Sequence, residues 1–429
     1  MAIYLGLGCN EGDRVHQMEW ALDELVKSGF RIDEISPLVE SPAMLPDDAP
    51  PAWNKPYLNC VVKGDANWQP LEALAIAKEI EKRLGRVPTR RWAPRPMDID
   101  ILLWHEQIVS ARELTIPHIG LSNRAFVLSP LCYLAPNLVV PGLDQTVFAL
   151  TQLSRVIPLW MGIVNVTPDS FSDGGVWSDA DELEKHLDTL VEEHIQIMDI
   201  GAESTRPGAE TISEEAEWQR LKPVLESIAK KRGARRIFPK VSVDSRNAHT
   251  MAKALEWGVD IINDVGGLSN PDMLSVARQS DAQIVAMHSV AVPADPSQLL
   301  PTDQATLAQM KEWLLRRIDS WLDAGIDLNR VIFDPGVGFG KNGFQTLDLL
   351  SDVHGLRDLG LRILMGHSRK SFMGSFAGKK ARERDYATLG MSMALCEQGA
   401  DIIRVHDPVM HHHAYRGWVH VIDHRTNHQ

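Results

Sequence analysis

Asp98 and Asp100 close the run Arg91-Trp92-Ala93-Pro94-Arg95-Pro96-Met97-Asp98-Ile99-Asp100-Ile101. In a strand, residues i and i+2 share a face about 7 Å apart, so the two carboxylates project side by side while Ile99 and Ile101 face a core. Adjacent carboxylates repel, and a divalent cation relieves the repulsion. Mg²⁺ takes carboxylate oxygens together with phosphate oxygens and water. The arginines just upstream suit bidentate phosphate binding. A lone D-x-D also fits a solvated edge strand; beside Arg-Trp-x-Pro-Arg it points to phosphate chemistry.

A second set of polar residues ends a series of apolar runs. In order these are Asn165; Glu203-Ser204-Thr205-Arg206; Asp244; Asn263-Asp264; Met287-His288; Asp334; His367-Ser368-Arg369-Lys370; and Arg404-Val405-His406. Each has a bland reading by itself: Asp244 as a helix cap, Asp334 before a Pro-Gly turn, His406 as a partner for Asp407. Eight such endings in register describe one polar rim.

The elements that carry them are legible. The apolar runs Leu159–Asn165, Ile197–Gly201, Val241–Asp244, Ile261–Asp264, Ile284–His288, Val331–Asp334, Ile363–Gly366 and Ile402–His406 alternate with helical stretches. The spacing predicts a closed parallel (β/α)₈ TIM barrel over 158–429, whose active-site face is the C-terminal rim. No G-x-G-x-x-G follows the first strand, which weighs against a dinucleotide-binding sheet. Upstream, strands are expected at Ala2–Gly8, Arg31–Ser41, Pro56–Asp65 and Ile99–Trp104. Helices are expected from Asp13 to about Ser28, over Leu71–Leu84 and over Arg124–Leu134. Their mixing without strict alternation favours an α+β domain over 1–143. The segment 42–56 carries five prolines and must be a long irregular loop, of a kind that is usually functional or mobile. Residues 144–157 form a short linker.

At 429 residues, two domains are the natural prior. The 44% hydrophobic and 24% charged content describes a soluble globular chain, and a net charge of −13 argues against a nucleic-acid or anionic-membrane binder. Lys82, Arg83, Arg86, Arg90, Arg91 and Arg95 nonetheless crowd one segment. The four cysteines, at 9, 60, 132 and 396, are scattered, which suits a reducing cytosol. No signal peptide or membrane span is expected, so the chain is placed in the cytoplasm. The run His411-His412-His413 falls in the last helix and is expected to be partly solvated surface.

Over 1–143 the chain resembles the 6-hydroxymethyl-7,8-dihydropterin pyrophosphokinases. The matching pieces are Gly6-Leu7-Gly8-Cys9-Asn10, Pro56-Tyr57-Leu58-Asn59, Arg91 to Arg95, Met97 to Ile101, Pro117-His118 and Asn123-Arg124-Ala125-Phe126. The resemblance implies a ferredoxin-like fold and pyrophosphoryl transfer from ATP to the pterin hydroxymethyl group. Asp98 and Asp100 would hold two Mg²⁺. Arg86, Arg95, His118 and Arg124 would position the phosphates. Tyr57, Trp92 and Phe126 would sandwich the pterin, and Asn59 would read its edge. Cys9 stands where Ser is usual, and Lys78 where Gln is expected near the adenine.

The barrel resembles the dihydropteroate synthases along its whole length. The matching pieces are Asn165 to Gly175, Gly201 to Gly208, Ser242 to Ser245, Ile262-Asn263-Asp264, Asp334 to Lys341, Ser368 to Ser371 and Ile403 to Asp407. That family joins 4-aminobenzoate to the pterin methylene carbon and expels pyrophosphate. By resemblance, Asp244, Asn263 and Asp334 would meet the donor edge of the pterin. Lys370 would bond its oxygen and ring nitrogen, and Met287 would pack on its face. Asn165 would contact one Mg²⁺ on the leaving pyrophosphate, held by Arg206, Arg404 and His406. Thr205, Pro207 and Ser371 would line the aminobenzoate pocket, with Phe339 close by. Val337 and His367 depart from the residues usual there. The first activity makes the substrate of the second. The expectation is therefore a bifunctional folate-biosynthesis transferase with small-molecule substrates and a possible homodimer through the barrel. A methyl-transferring pterin barrel, or a synthase with a non-catalytic first domain, is the alternative.

Overall fold

The computed structural model describes residues 2–87, 90, 92–167, 180–203, 211–295 and 297–427, with side chains to 423. The chain divides into two compact units. One comprises 1–157 with 235–238 and 415–429; the other comprises 158–234 with 239–414.

The first unit is α+β. Strands β1 (Ile3–Cys9), β2 (Arg31–Ile35), β3 (Val39–Ser41), β4 (Tyr57–Asp65) and β5 (Asp98–Trp104) form an antiparallel sheet of order β2-β4-β1-β5, with β3 also on β4. Helix α1 (Arg14–Lys27) starts at Asp13, whose carboxylate accepts the His16 N–H. Helix α2 (Pro70–Arg83) opens with a Gln69/Glu72 capping box and Pro at its first position. The alternation of the strands decides which face does what. Ile3, Leu5, Leu7, Leu58, Cys60, Val62, Ile99 and Ile101 share one core with Met18, Leu22 and Leu25 of α1 and Ala73, Ala77 and Ile80 of α2. Gly6 and Gly8 of β1, Asp98 and Asp100 of β5, and Tyr57, Asn59 and Val61 of β4 face the other way. Helix α3 (Ala125–Leu134) supplies Phe126 and Val127 to that second face.

The stretch Arg31–Ser41 is two strands rather than one. Pro37 has no N–H to donate to the ladder. At the break Ser36 substitutes its hydroxyl, which accepts the Val61 N–H at 2.9 Å and donates to Pro37 O at 3.0 Å. Two short hairpins follow, β6 (Val109–Ser110) with β7 (Thr115–Ile116) and β8 (Val139–Val140) with β9 (Gln145–Thr146), and then helix α4 (Val147–Gln152).

The second unit is a closed parallel barrel of eight strands: β10 (Leu159–Asn165), β11 (Ile197–Gly201), β12 (Lys240–Asp244), β13 (Ile261–Asp264), β14 (Gln283–Met287), β15 (Val331–Asp334), β16 (Arg362–Met365) and β17 (Ile402–Val405). Between and after them run α5 (Ala180–Glu192), α6 (Glu214–Gly233), α7 (Ala248–Glu256), α8 (Pro271–Arg278), α9 (Thr306–Asp323), α10 (Gly343–Ser351), α11 (Val353–Arg357), α12 (Asp385–Glu397) and α13 (Pro408–Asn427). The strands are short, buried and rich in Ile and Val, as parallel strands covered on both faces must be. The polar ends lie at the C-terminal rim, as the order of elements demands.

Of the three successive histidines, only His413 is exposed; His411 and His412 are buried, which corrects the expectation of a partly solvated run. The His411 ring lies 5.8 Å from that of Trp160, and its Nδ1 meets the Asp407 carbonyl at 2.7 Å. All four cysteines are buried and none is in a disulfide, and burial raises the Cys9 and Cys60 thiols to about 12. Among the described residues no helix is long and apolar enough to cross a membrane.

Candidate active sites

The second face of the sheet opens into a cavity of about 180 Å³. Register builds it: Gly8 of β1 lies between Asn59 of β4 and Asp98 of β5, and Gly6 lies opposite Asp100. A Cβ at Gly8 would come within 2.9 Å of Asn59 Oδ1, so glycine keeps the floor open. Tyr57, Trp92 and Phe126 contribute aromatic walls, and Arg95 and Arg124 contribute charge. Pro42 and Met44, from the proline-rich loop, complete the lining.

The two carboxylates are electrostatically unlike. Asp98 accepts from Arg86 at 2.5 Å and Arg95 at 2.9 Å. Burial works against its charge, but the two guanidiniums prevail and hold it below the usual carboxylate range. Asp100 is pushed up, first by burial and then by the charge of Asp98. His118 at 3.8 Å and Arg124 at 3.7 Å only partly offset this. The His118 Nδ1 accepts the Gly120 N–H at 3.1 Å, so its Nε2 bears the hydrogen toward Asp100. Among the described residues no cage of three or more His, Cys, Asp or Glu exists. A carboxylate pair in which the charge of Asp98 raises the proton affinity of Asp100 suits a cation completed by substrate phosphates.

Sequence reasoning missed Glu81. It is 1% exposed on α2 and accepts from Arg86 at 2.6 Å, Lys78 at 2.7 Å and the Ile99 N–H at 2.9 Å. A glutamate among Lys and Arg on a helix looks like a surface ion pair, and only the fold shows that it anchors β5. The same bond accounts for Lys78.

On the barrel rim, Asp244 and Asp334 end their strands near Arg404, and Asn263, one residue from the end of β13, joins them through Asp199. The Arg404 guanidinium lies 3.1 Å from Asp199 and 3.4 Å from Asp244, and Asp334 also acts on it electrostatically. Burial, then the charge of Asp199, raises Asp244 to about 7. Burial also raises Asp334, which accepts the Gly336 N–H at 2.7 Å. Lys370 Nζ sits 4.2 Å from the centre of the Phe339 ring. Met287, Val265 and Phe339 form one buried apolar cluster beside it. Ser371 opens a 3-10 turn next to Lys370. The His406 Nδ1 pairs with Ser368 Oγ at 2.9 Å, and that hydroxyl accepts the His406 N–H at 3.3 Å. Asn165 ends β10 opposite Gly201. Thr205, Arg206 and Pro207, and Asp169 to Gly175 of the first strand's loop, lie outside the described residues.

Two further groups went unread in the sequence. Asp199, inside the apolar strand β11, accepts from Ser242, Asn263 and Arg404. Lys341 is buried against His288 Nδ1 at 2.9 Å and the Phe339 carbonyl at 2.9 Å; burial lowers it to about 7. The signal for Asp199 was present: a lone carboxylate in Ile197-Met198-Asp199-Ile200 has no place in a barrel strand unless it faces a polar interior.

An acceptor-lined barrel mouth with a lysine on an aromatic ring, and a phosphate-type carboxylate pair on a separate α+β unit, define a two-activity transferase for flat heterocycles. Family comparison agrees. Residues 161–406 match the pterin binding enzymes, and residues 4–136 match the 7,8-dihydro-6-hydroxymethylpterin-pyrophosphokinases. The folate synthesis bifunctional protein of Chlamydia muridarum is 34% identical over 94% of each chain. The mitochondrial one of Arabidopsis thaliana is 34% identical over 94% of this chain and 80% of its own. Dihydropteroate synthase of Anaplasma phagocytophilum, solved with bound 6-hydroxymethylpterin-monophosphate, is 35% identical with a TM-score of 0.55, covering 61% of this chain and 98% of that one. That of Xanthomonas albilineans with 4-aminobenzoic acid is 35% identical, TM-score 0.55, over 62% and 93%. The chain belongs to the bifunctional folate-synthesis enzymes.

Proposed function

We propose that residues 1–143 form the pyrophosphokinase domain, of ferredoxin-like fold, that 144–157 link the domains, and that 158–429 form the synthase. The first reaction transfers pyrophosphate from ATP to 6-hydroxymethyl-7,8-dihydropterin. The hydroxymethyl oxygen bonds the β-phosphorus, the bridging α–β P–O bond breaks, AMP leaves and the hydroxyl proton is lost. Tyr57, Trp92 and Phe126 stack the pterin and Asn59 reads its edge. Arg86, Arg95, His118 and Arg124 orient the phosphates, and Asp98 and Asp100 would hold two Mg²⁺. Bound there, Mg²⁺ neutralises phosphate charge in a transfer that depends mainly on positioning.

In the second reaction the methylene C–O bond breaks, its electrons leave with pyrophosphate, and the 4-aminobenzoate nitrogen takes the carbon and loses a proton. The product is 7,8-dihydropteroate. Asp244, Asn263 and Asp334 accept from the pterin, Lys370 donates to its oxygen and ring nitrogen, and Met287 packs on its face. Asn165 would hold one Mg²⁺, which would supply charge neutralisation for pyrophosphate, and Arg206, Arg404 and His406 surround the anion. Thr205, Phe339 and Ser371 receive the aminobenzoate. The enzyme works in the cytoplasm, binds neither nucleic acid nor membrane in keeping with its net charge of −13, and pairs through its barrel.

The observation that carries this reading is the face shared by Asp98, Asp100, Tyr57 and Asn59 around one cavity. The test is product analysis with hydroxymethyldihydropterin, ATP, Mg²⁺ and 4-aminobenzoate, following AMP and dihydropteroate separately. Asp98→Ala should lower AMP formation by about 10²-fold or more, and Lys370→Ala should lower only dihydropteroate, by a similar factor. AMP without dihydropteroate from the unaltered chain would sink the synthase reading. Dihydropteroate only from supplied pterin pyrophosphate would sink the kinase reading.

A further inference from the structure

Asp199 lies at the middle of β11, 2% exposed. Three side chains from three other strands converge on its carboxylate. Ser242 Oγ donates at 2.7 Å, Asn263 Nδ2 reaches both oxygens at 3.1 and 3.2 Å, and Arg404 donates at 3.1 Å. A carboxylate in this setting only accepts. The Asn263 amide has one donating end and one accepting end, and the end that meets Asp199 must be the NH₂. With the NH₂ turned to Asp199, the Oδ1 points the other way and is the accepting atom the amide offers a ligand. Asn263 is 1% exposed, so an amide turned the wrong way has no water to satisfy it.

We propose that Asp199 is a positioning residue that fixes which end of the Asn263 amide faces the pterin, and thereby makes the synthase selective for a 2-amino heterocycle. This rests on the pterin-binding reading above. Asp244 and Asp334 already present acceptors at the barrel mouth. An Asn263 locked oxygen-outward gives a surface made of acceptors, which complements the N–H groups of a 2-amino-4-oxo edge. A 2-oxo analogue (a lumazine) places an acceptor where the 2-amino donor belongs, and a site built to receive a donor rejects it strongly. Without the carboxylate of Asp199, both amide orientations become available and the selection weakens.

The experiment supplies the pterin pyrophosphate and its 2-oxo counterpart directly, so the first unit takes no part in the measured step. AMP formation by the same chain serves as the measure of intact protein. The unaltered enzyme should prefer the 2-amino substrate by on the order of 10⁴ in kcat/KM. Asp199→Asn should lower that preference at least about tenfold, mainly by raising KM for the 2-amino substrate. Asn263→Ala should lower it too, and the double variant should lose no more than Asn263→Ala, because Asp199 acts through Asn263. An Asp199→Asn enzyme that keeps the full preference overturns the proposal, as does a double variant in which the two losses multiply. If Asn263→Ala keeps the preference, the pterin reading of Asn263 itself fails. Should Asp199→Asn not fold, the side-chain NH₂ of Asn263 in the unaltered protein decides the matter by ¹⁵N NMR. Its signal should be slow to exchange with solvent and little moved by bound hydroxymethylpterin. A large ligand-induced shift with fast exchange would place the NH₂ on the ligand side and overturn the proposal.

Discussion

Asp244 ties the synthase to pH. Burial first, and the Asp199 charge second, raise its carboxyl to about 7. Arg404 acts the other way, while Glu217 and Asp264 add to the rise. On the assignment proposed above, Asp244 accepts from the pterin, which requires it to be ionised. The affinity for pterin pyrophosphate should therefore fall as pH drops through about 7, and KM measured from pH 5.5 to 8.5 should show that limb. Asp244→Asn should weaken binding and flatten the limb; a limb that survives the substitution belongs to another group. The sign for folding is opposite. A carboxyl raised in the folded state contributes stability that is present below its unfolded pKa and is lost as pH rises through about 7. The group that serves the reaction when charged thus disfavours the fold when charged, as pre-arranged active sites often do. Residue by residue, the rim was readable wherever a polar side chain ended an apolar run, as at Asp244, Asn263 and Asp334. Glu81 was not, because the β5 N–H it accepts lies 18 residues on, and at Asp199 only the misplaced carboxylate was visible, not the Arg404 partner 205 residues away.

At the scale of elements, the kinase site depends on α2 as much as on β5. Glu81 ties the first to the second through the Ile99 N–H and steadies Arg86. Glu81→Ala leaves a buried N–H unmet and should cost about 1–3 kcal/mol, read in urea unfolding. It should also raise KM for ATP, while dihydropteroate formation from supplied pterin pyrophosphate stays unchanged. An unaltered urea midpoint would show that the bond is not structural. Strand periodicity made the barrel legible: Leu159–Asn165, Ile197–Gly201, Ile261–Asp264 and Val331–Asp334 are strands over the residues expected. The break in Arg31–Ser41 was less visible. Its apolar alternation continues across Pro37, and only the side-chain substitution at Ser36 shows how the ladder survives the gap.

For the whole molecule, each activity has its own cavity wall. The residues that line the first cavity all fall within 6–127, and the polar rim of the second belongs to the barrel strands. The intermediate should therefore pass through solvent. A mixture of the Asp98→Ala and Lys370→Ala chains should make dihydropteroate from hydroxymethyldihydropterin, with a lag that shortens as the Lys370→Ala chain, which keeps the kinase, is increased. The unaltered chain should show the same lag at matched site concentrations. Absence of a lag there would mean direct transfer.

Every thiol of this chain is sequestered. Cys9, Cys60, Cys132 and Cys396 are buried, and the first two hold their protons to about pH 12. Since the thiolate is the nucleophile, a maleimide or disulfide reagent should find the native protein silent and should count all four sulfurs only after denaturation. Fast labelling of the native chain would contradict that. The silence makes the molecule an unusually clean carrier for a spectroscopic tag. One cysteine introduced at an open position, such as Phe344 at 84% exposure, becomes a unique address on the native chain without first removing any of the others.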